Sequence, residues 1–425
     1  MRHRYLIYIA FAMHHQILYV APAGVERGGI GSYARAVRSA LLAYTDWVPT
    51  FYQDLLPPGF DGARNVSPAM RRRIVGELDR SGKLAPFRLI HVELGTSLSD
   101  EFHWAYQIAR TRPGLPIVLT VHDPPYTVRN LCPYYDFGST SGFRDRWVRK
   151  VWNVSAGHLI ERDMLHRAAA VTTLSRRGAT LLSRRFDVRV TTIPHIASIL
   201  PELPPQPRPL SSPLRVLFFG YLSRDKGLHV LLEAVRLLAR DRWARRFMLT
   251  IVGKPFGEPD SATLPSLRSA MNEPLVRSHL VVTGFLPDDE LSTLLTQHDV
   301  LVLPYVDDRI CSSSGPLVTG LQFGLVPVVT RTRALAEVVV DSGSGFVAEP
   351  RSPQGLASAL GRLIDSPDRV QLDRARALAY AQKSSPRAVA RALSDIYSVV
   401  GGLQRSTAPE DDRGAGPQFA DRAMK

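Results

Sequence analysis

Cysteine, lysine and long apolar runs are scarce in this chain of 425 residues. Its two cysteines, Cys132 and Cys311, are too few and too far apart for a disulfide-stapled secreted scaffold, and they fit a reducing compartment. No run of about 18 apolar residues occurs, so no membrane-spanning helix is expected. Lysine stands only at Lys83, Lys150, Lys226, Lys254, Lys383 and Lys425, so arginine carries the formal charge of +14. Such an arginine excess follows genome composition. As a partner signal it suits phosphate-bearing ligands or an anionic membrane, and no helix-turn-helix, zinc-finger or RNA-binding signature supports nucleic acid. No metal-ligand cluster, Asp-x-Asp pair or Ser/His/Asp elbow stands out, and no glutamate occurs between Glu290 and Glu337.

What is present is apolar enough, at 45% hydrophobic residues, to exclude a disordered chain, and long enough for two or three domains. Residues 1–15 have a basic start and an apolar run over 5–13, but no small-residue cleavage site follows. They read as an N-terminal extension rather than a signal peptide. From residue 16 the pattern alternates, with strands expected over 16–21, 89–92, 117–121 and 169–173 and a helix over 32–44. Proline is dense over 201–213, which predicts an interdomain linker. The alternation then restarts: strands over 214–219, 247–252, 280–282, 300–304 and 326–329, helices over 228–238, 291–296 and 316–323. The expected organisation is α/β, with domains at 16–200 and 214–384, a closing or crossover helix at 385–400 and a disordered tail at 401–425. Strands alternating with helices imply parallel sheets covered on both faces, and ligands beyond the carboxyl ends of the strands, in the cleft between the halves.

Chemistry-bearing residues gather at such strand ends. Arg224 and Lys226 lie in the loop before the helix at 228–238, where unpaired amides already favour an anion. Ser312, Ser313, Ser314, Gly315 and Pro316 form a second helix start, with a serine or glycine cap and proline in the first turn. Gly28, Gly29 and Gly31 sit between the first strand and helix, where glycine permits close backbone approach, although the spacing is not the dinucleotide fingerprint. His122 follows the strand at 117–121 in a proline-fixed turn, and His195 occupies a similar position nearer the linker. Residues 144–166 mix arginine with Trp147 and Trp152 and read either as an ordinary amphipathic helix or as a contact with anionic membrane.

In order along the chain, GYLSRDKG (220–227), IVGKP (251–255), VTGFLPDDEL (282–291), DVLVLPY (299–305), FGLVPVVT (323–330) and AEVVVDSGSGFVAEP (336–350) resemble the retaining GT-B-fold glycosyltransferases of family 4; GGIG and VHDPP extend the resemblance into the first half. The resemblance implies two Rossmann-like, doubly wound parallel-sheet domains facing a central cleft. It also implies a nucleotide diphosphate sugar as co-substrate, no metal or other cofactor, and a glycan or lipid-linked acceptor. The setting would be bacterial polysaccharide or glycoconjugate synthesis, in the cytoplasm or at the inner face of the cell membrane. By position, Lys226 matches a basic residue on the diphosphate; the neighbouring arginine column holds Tyr221, so Arg224 takes that role. Gly220, Lys254, Phe285, Ser314, Gly315, Pro316, Leu317 and Thr319 complete the donor side, with Phe285 near the base. Gly28, Gly29 and Gly31 approach from the other half, and His122 matches a histidine beside the transferred sugar.

One departure stands out. The family's paired glutamates fall at Cys311 and Thr319 when aligned on Gly324, or at Ser312 and Gly320 when aligned on Pro327, and neither pair is acidic. Asp307 or Asp308 is the available substitute. Two readings stay open: a working transferase, or a degenerate GT-B protein that binds nucleotide sugar or supports a partner enzyme without turnover.

Overall fold

The computed structural model describes residues 14–22, 28–57, 66–96, 98–128, 151, 156–202, 205, 209–255, 263–306, 312–332 and 334–403. Cys132, Asp307, Asp308, Cys311, most of 144–157, nearly all of the N-terminal extension and the tail from 404 lie outside these residues.

Twelve strands among the described residues form two six-stranded, wholly parallel sheets. The first holds β1 (His15–Val20), β2 (Trp47–Phe51), β3 (Phe87–Leu94), β4 (Ile117–Val121), β5 (Ala170–Thr173) and β6 (Val190–Thr192), in the order β2-β1-β3-β4-β5-β6. The second holds β7 (Leu214–Phe219), β8 (Phe247–Val252), β9 (Leu280–Gly284), β10 (Val300–Leu303), β11 (Val326–Thr330) and β12 (Phe346–Ala348), in the order β12-β11-β10-β7-β8-β9. Chain direction across each sheet reverses once, between β1 and β3 and between β7 and β10. These are the points where connections leave to opposite faces and open a crevice at the strand ends.

Three strands lie outside the sequence expectation, each for a local reason. β2 contains Pro49, which the pleat tolerates because β2 is an edge strand. β6 and β12 are three-residue edge strands, too short to show a period. β3 is longer than the expected 89–92, running from Phe87 to Leu94 and carrying His91 and Glu93 fully buried.

Helices cover both faces. α1 (Gly28–Tyr44) begins four residues before the expected 32, so Gly28, Gly29 and Gly31 form its first turn instead of a free loop, and Gly31 is buried. This start is close-packed: a Cβ on Gly95, just after β3, would stand 2.4 Å from Ile30 Cδ1. The stretch expected at 144–166 is described as a helix at His158–Arg167, whose Met164 and Leu165 pack into the first half and whose buried Glu161 accepts from the Thr127 amide and hydroxyl.

The chain passes between the halves twice. Among the described residues from 193 to 213 there is neither helix nor strand. After the second sheet is complete, the chain returns as α6 (Pro386–Val400), whose Val389, Ala390, Leu393 and Tyr397 pack with Tyr33, Val37 and Leu41 of α1 and with Trp47. The helix is therefore a crossover into the first half. The two passages touch where the Ala197 amide donates to the Ser384 carbonyl (3.3 Å).

Candidate functional site

In the second half the site is built on glycines. β7 ends at Phe219; Gly220 follows at φ +140°, then a 3-10 turn at Arg224–Lys226, then Gly227 at φ +72° leading into α3 (Leu228–Ala239). A Cβ on Gly227 would stand 1.8 Å from the Pro304 carbonyl oxygen, so only glycine allows this turn to lie against the end of β10. That packing sets Lys226 Nζ 4.1 Å from the Tyr305 ring centroid and 3.6 Å from Asp225 Oδ2. The Tyr305 hydroxyl in turn pairs with Ser314 Oγ (3.1 Å), which caps α4 (Gly315–Gln322). Lys226 and the start of α4 are thus joined through one aromatic ring, and Gly220 lies beside Pro316.

The start of α4 is a narrower anion site than its sequence suggests. Pro316 has no N–H, the Leu317 amide donates to Ser314 Oγ (3.3 Å) and the Val318 amide to the Ser314 carbonyl. Among the described residues, the Gly315 amide is bonded neither to Ser314 Oγ nor to the Ser314 carbonyl, which take the Leu317 and Val318 amides. Leu317 and Thr319 are about 1% exposed and belong to the interior face of the helix, so their side chains do not line the cleft. Arg224 is exposed. Lys254 and Phe285 stand after β8 and β9, the ammonium 4.6 Å from a ring that is 61% exposed.

In the first half the site is built on strand ends. His122 follows β4, and its Nε2 lies 2.7 Å from Glu93 Oε2 on β3. Glu93 Oε1 accepts from the Tyr19 hydroxyl of β1 at 2.5 Å. Burial alone would push the Glu93 carboxyl up, but His91, His122 and Tyr19 outweigh it and hold it below its ordinary value. Burial lowers His91, and burial together with Glu93 raises the Tyr19, Tyr33 and Tyr397 hydroxyls. Tyr33 of α1 meets His122 edge-on at 4.7 Å and His195 at 5.1 Å. His195 is tied by Nδ1 to the Ile196 carbonyl (2.7 Å), and burial lowers its value to about 4, so the ring is neutral. Its Cε1 lies 3.7 Å from where a Cβ on Gly315 would be.

Side-chain hydrogen bonds tie the halves together both at the cleft and away from it. At the cleft, Ser312 Oγ donates to Asp123 Oδ1 (2.7 Å), while Asp123 Oδ2 accepts from the Thr96 amide and hydroxyl (2.8 and 2.9 Å). On the outer side, Arg176 and Arg177 open α2 (Arg176–Phe186), and their amides hold Glu337 of α5 (Leu335–Ser342) at 2.9 and 3.1 Å. The Arg176 guanidinium grips Asp341 at 2.6 and 2.8 Å and pulls its carboxyl down.

Of the expected residues, the structure therefore gathers Gly220, Lys226, Ser314, Gly315 and Pro316 on one wall and His122 on the other. Gly28, Gly29 and Gly31 lie one helix turn away, and Arg224 is exposed. Glu93, Tyr33, Tyr305 and the Asp123–Ser312 bridge were not singled out. The available signal was a histidine and a glutamate inside the apolar strand HVEL, which is a costly placement without partners.

Both halves of the chain resemble known proteins. Residues 15–195 match the family model described as "Glycosyl transferase 4-like domain", and residues 213–366 match "Glycosyl transferases group 1". A 2-deoxystreptamine glucosyltransferase from Streptomyces kanamyceticus is 26% identical over 302 residues, covering 66% of this chain and 69% of that protein. The amylovoran biosynthesis glycosyltransferase AmsK from Erwinia amylovora is 28% identical over 36% of this chain and 37% of its own length. Among solved structures, sucrose-phosphate synthase from Thermosynechococcus elongatus superposes with a TM-score of 0.65 at 16% identity, over 92% of this chain and 100% of that one. HepE from Anabaena, solved with UDP-glucose, gives 0.62 at 15% over 91% and 100%. With both halves matched in order and the paired parallel sheets in place, the chain belongs to the GT-B-fold glycosyl transferases of group 1.

Proposed function

We propose that this protein transfers a sugar from a nucleoside diphosphate sugar to a hydroxyl of a saccharide or lipid-linked glycan, with retention of the anomeric configuration. The observation that carries the reading is the Lys226–Tyr305–Ser314 chain at the crevice between β7 and β10, facing His122 across the cleft. In such a transfer, negative charge builds on the departing diphosphate. Lys226 and the Gly315 amide supply positive potential where it builds, before the bond breaks, which is the efficient way to stabilise a developing charge. Arg224, on the same turn, adds to that potential, and Phe285 offers an exposed ring on which a base can stack. The names of the relatives, among them a colanic acid biosynthesis glycosyltransferase, support a setting in glycoconjugate synthesis. The work is cytoplasmic in this reading, at a lipid-borne acceptor on the inner face of the membrane; no helix among the described residues is long and apolar enough to cross one.

The test is a thermal-shift screen against UDP-, GDP-, ADP- and TDP-sugars, since a ligand that binds only the folded state raises the midpoint. Product analysis then reads linkage and anomeric configuration. No shift with any nucleotide sugar, or an inverted product, sinks the reading.

A second reading is favoured by the absence of acids where the family carries its paired glutamates, at Cys311 and Thr319 or at Ser312 and Gly320. A protein that binds nucleotide sugar without turnover would show the thermal shift and release no nucleoside diphosphate.

A further inference from the structure

Beneath the cleft floor, in the first half, lies a buried chain of polar groups that joins four strands and α6. Counting its protons gives a self-consistent set of hydrogen bonds. The Thr172 hydroxyl donates its one proton to the Leu119 carbonyl (3.1 Å). With the Thr172 proton on that carbonyl, the Thr120–Thr172 contact at 2.8 Å uses the Thr120 proton. Thr120 is then the acceptor for His91 Nε2 (2.8 Å), which leaves His91 Nδ1 as the acceptor of the Tyr397 hydroxyl (2.6 Å). Burial favours the neutral His91 ring, and in this set its one proton sits on Nε2.

The same counting applies to Glu93. An ionised carboxylate only accepts, so both of its close partners must donate: the Tyr19 hydroxyl to Oε1 and His122 Nε2–H to Oε2. The carboxylate is fully buried, with no solvent to replace either partner.

We propose that Glu93 is a positioning residue for the transfer, which holds His122 by its Nε2–H so that the nitrogen left to a ligand is Nδ1. The Tyr19, His91 and Tyr397 contacts keep the carboxylate in place. A ring fixed in this way presents a lone pair on Nδ1 when neutral, the partner suited to a sugar or acceptor hydroxyl and not to a phosphate oxygen. The arrangement follows the general logic of an imidazole oriented by a buried acid behind it. The inference rests on the transferase reading only for its effect on turnover; the tautomer is a property of the protein alone.

The experiment has two arms. In the first, long-range proton–nitrogen NMR on the nitrogen-15-labelled full chain, with His122→Asn as the assignment control, reads which ring nitrogen of His122 carries the proton. We expect Nε2–H in the wild type and a changed signature in Glu93→Gln; Nδ1–H in the wild type overturns the proposal. In the second, release of UDP from UDP-glucose is followed in Glu93→Gln, His122→Asn and the double variant. Carboxylates that orient metal-bound histidines carry about 10- to 100-fold in activity; taking the same scale for an unmetallated ring, Glu93→Gln is expected to lower kcat by that factor, with KM moving little. In the His122→Asn background the same change is expected to cost nothing more. An equal loss in both backgrounds overturns the positioning role. Should Glu93→Gln fail to fold, Tyr19→Phe removes one of the two donors to the carboxylate without altering charge, and its smaller loss must show the same dependence on His122. Wild-type UDP release by His122→Asn would defeat the placement of the site instead, and the NMR arm tells the two failures apart.

Discussion

The two walls of the cleft reach the same end by different physics. The second-half wall is local: Gly220, Arg224, Lys226 and Gly227 lie within eight residues of one another, and their arrangement follows from backbone conformations that only glycine adopts. The first-half wall is non-local. Glu93 meets His122 29 positions away and Tyr19 74 away, and His91 meets Tyr397 306 away. One wall is a folded motif and the other a buried network assembled by sheet order. The motif tolerates change outside itself, whereas the network depends on strands and a helix from both ends of the chain.

The largest expected effect breaks the local wall. Replacing Lys226 with alanine removes the ammonium held over Tyr305. A preorganised donor of this type is worth about 2.7–4 kcal/mol, or roughly 100- to 1,000-fold in turnover. The thermal midpoint should stay near wild type, because Lys226, although only 21% exposed, lies at the cleft outside the apolar core. Near-normal UDP release by this variant would remove Lys226 from the site.

Next in size is Gly227→Ala, which attacks the same wall through its backbone. A left-handed non-glycine residue costs about 1–3 kcal/mol, and here the added carbon also meets the Pro304 carbonyl. Denaturant unfolding should show a loss at the upper end of that range. An unchanged midpoint would mean that the turn can move away from β10.

The first-half wall is best probed by pH. His195 has an ordinary value of 6.5 that falls to about 4 on folding, so the unfolded chain takes up a proton that the native ring refuses. Its contribution to stability is complete above about 6.5 and is lost as pH falls toward about 4. Glu93 acts lower still: its depressed carboxyl stabilises the fold above the ordinary glutamate range and ceases to do so as pH drops through its folded value. Urea midpoints measured between pH 7 and 4 should decline, and His195→Asn should flatten the upper part of that decline. A parallel curve for the variant would show that His195 is solvated and titrates normally.

The smallest expected effect concerns the outer contact between the halves. Arg176 is largely exposed, and such pairs contribute about 0.2–1 kcal/mol. Asp341→Asn should barely alter stability, yet loosen the approach of α2 and α5, which small-angle scattering would read as a modest rise in radius. No change in radius would mean that the Asp123–Ser312 bridge and the two chain passages suffice.

The same contrast explains how much could be read from residues alone. Two parallel α/β units and the proline-rich passage between them followed from apolar runs and proline density, because those signals are short-range. Lys226 and the start of α4 were visible for the same reason, although the loss of the Leu317 amide to Ser314 needs coordinates. The side chains of Leu317 and Thr319 face the interior, which counting along a helix does not reveal because it gives position and not face. Glu93 was passed over because a single acid in an apolar strand has no local partner to announce it. The carboxylate that bonds Ser312 comes from Asp123, in the opposite half of the chain, where no spacing rule would look for it.

The return of α6 onto α1 sets an order of events during synthesis. Residues 15–195 leave the ribosome long before Leu393 and Tyr397 exist, so Trp47, Val37 and the proton-accepting nitrogen of His91 await their partners until the last helix is made. The first domain is thus the last to be finished, and a gene cut at the second passage would express both sheets but leave the α1 face bare and the polar chain without Tyr397.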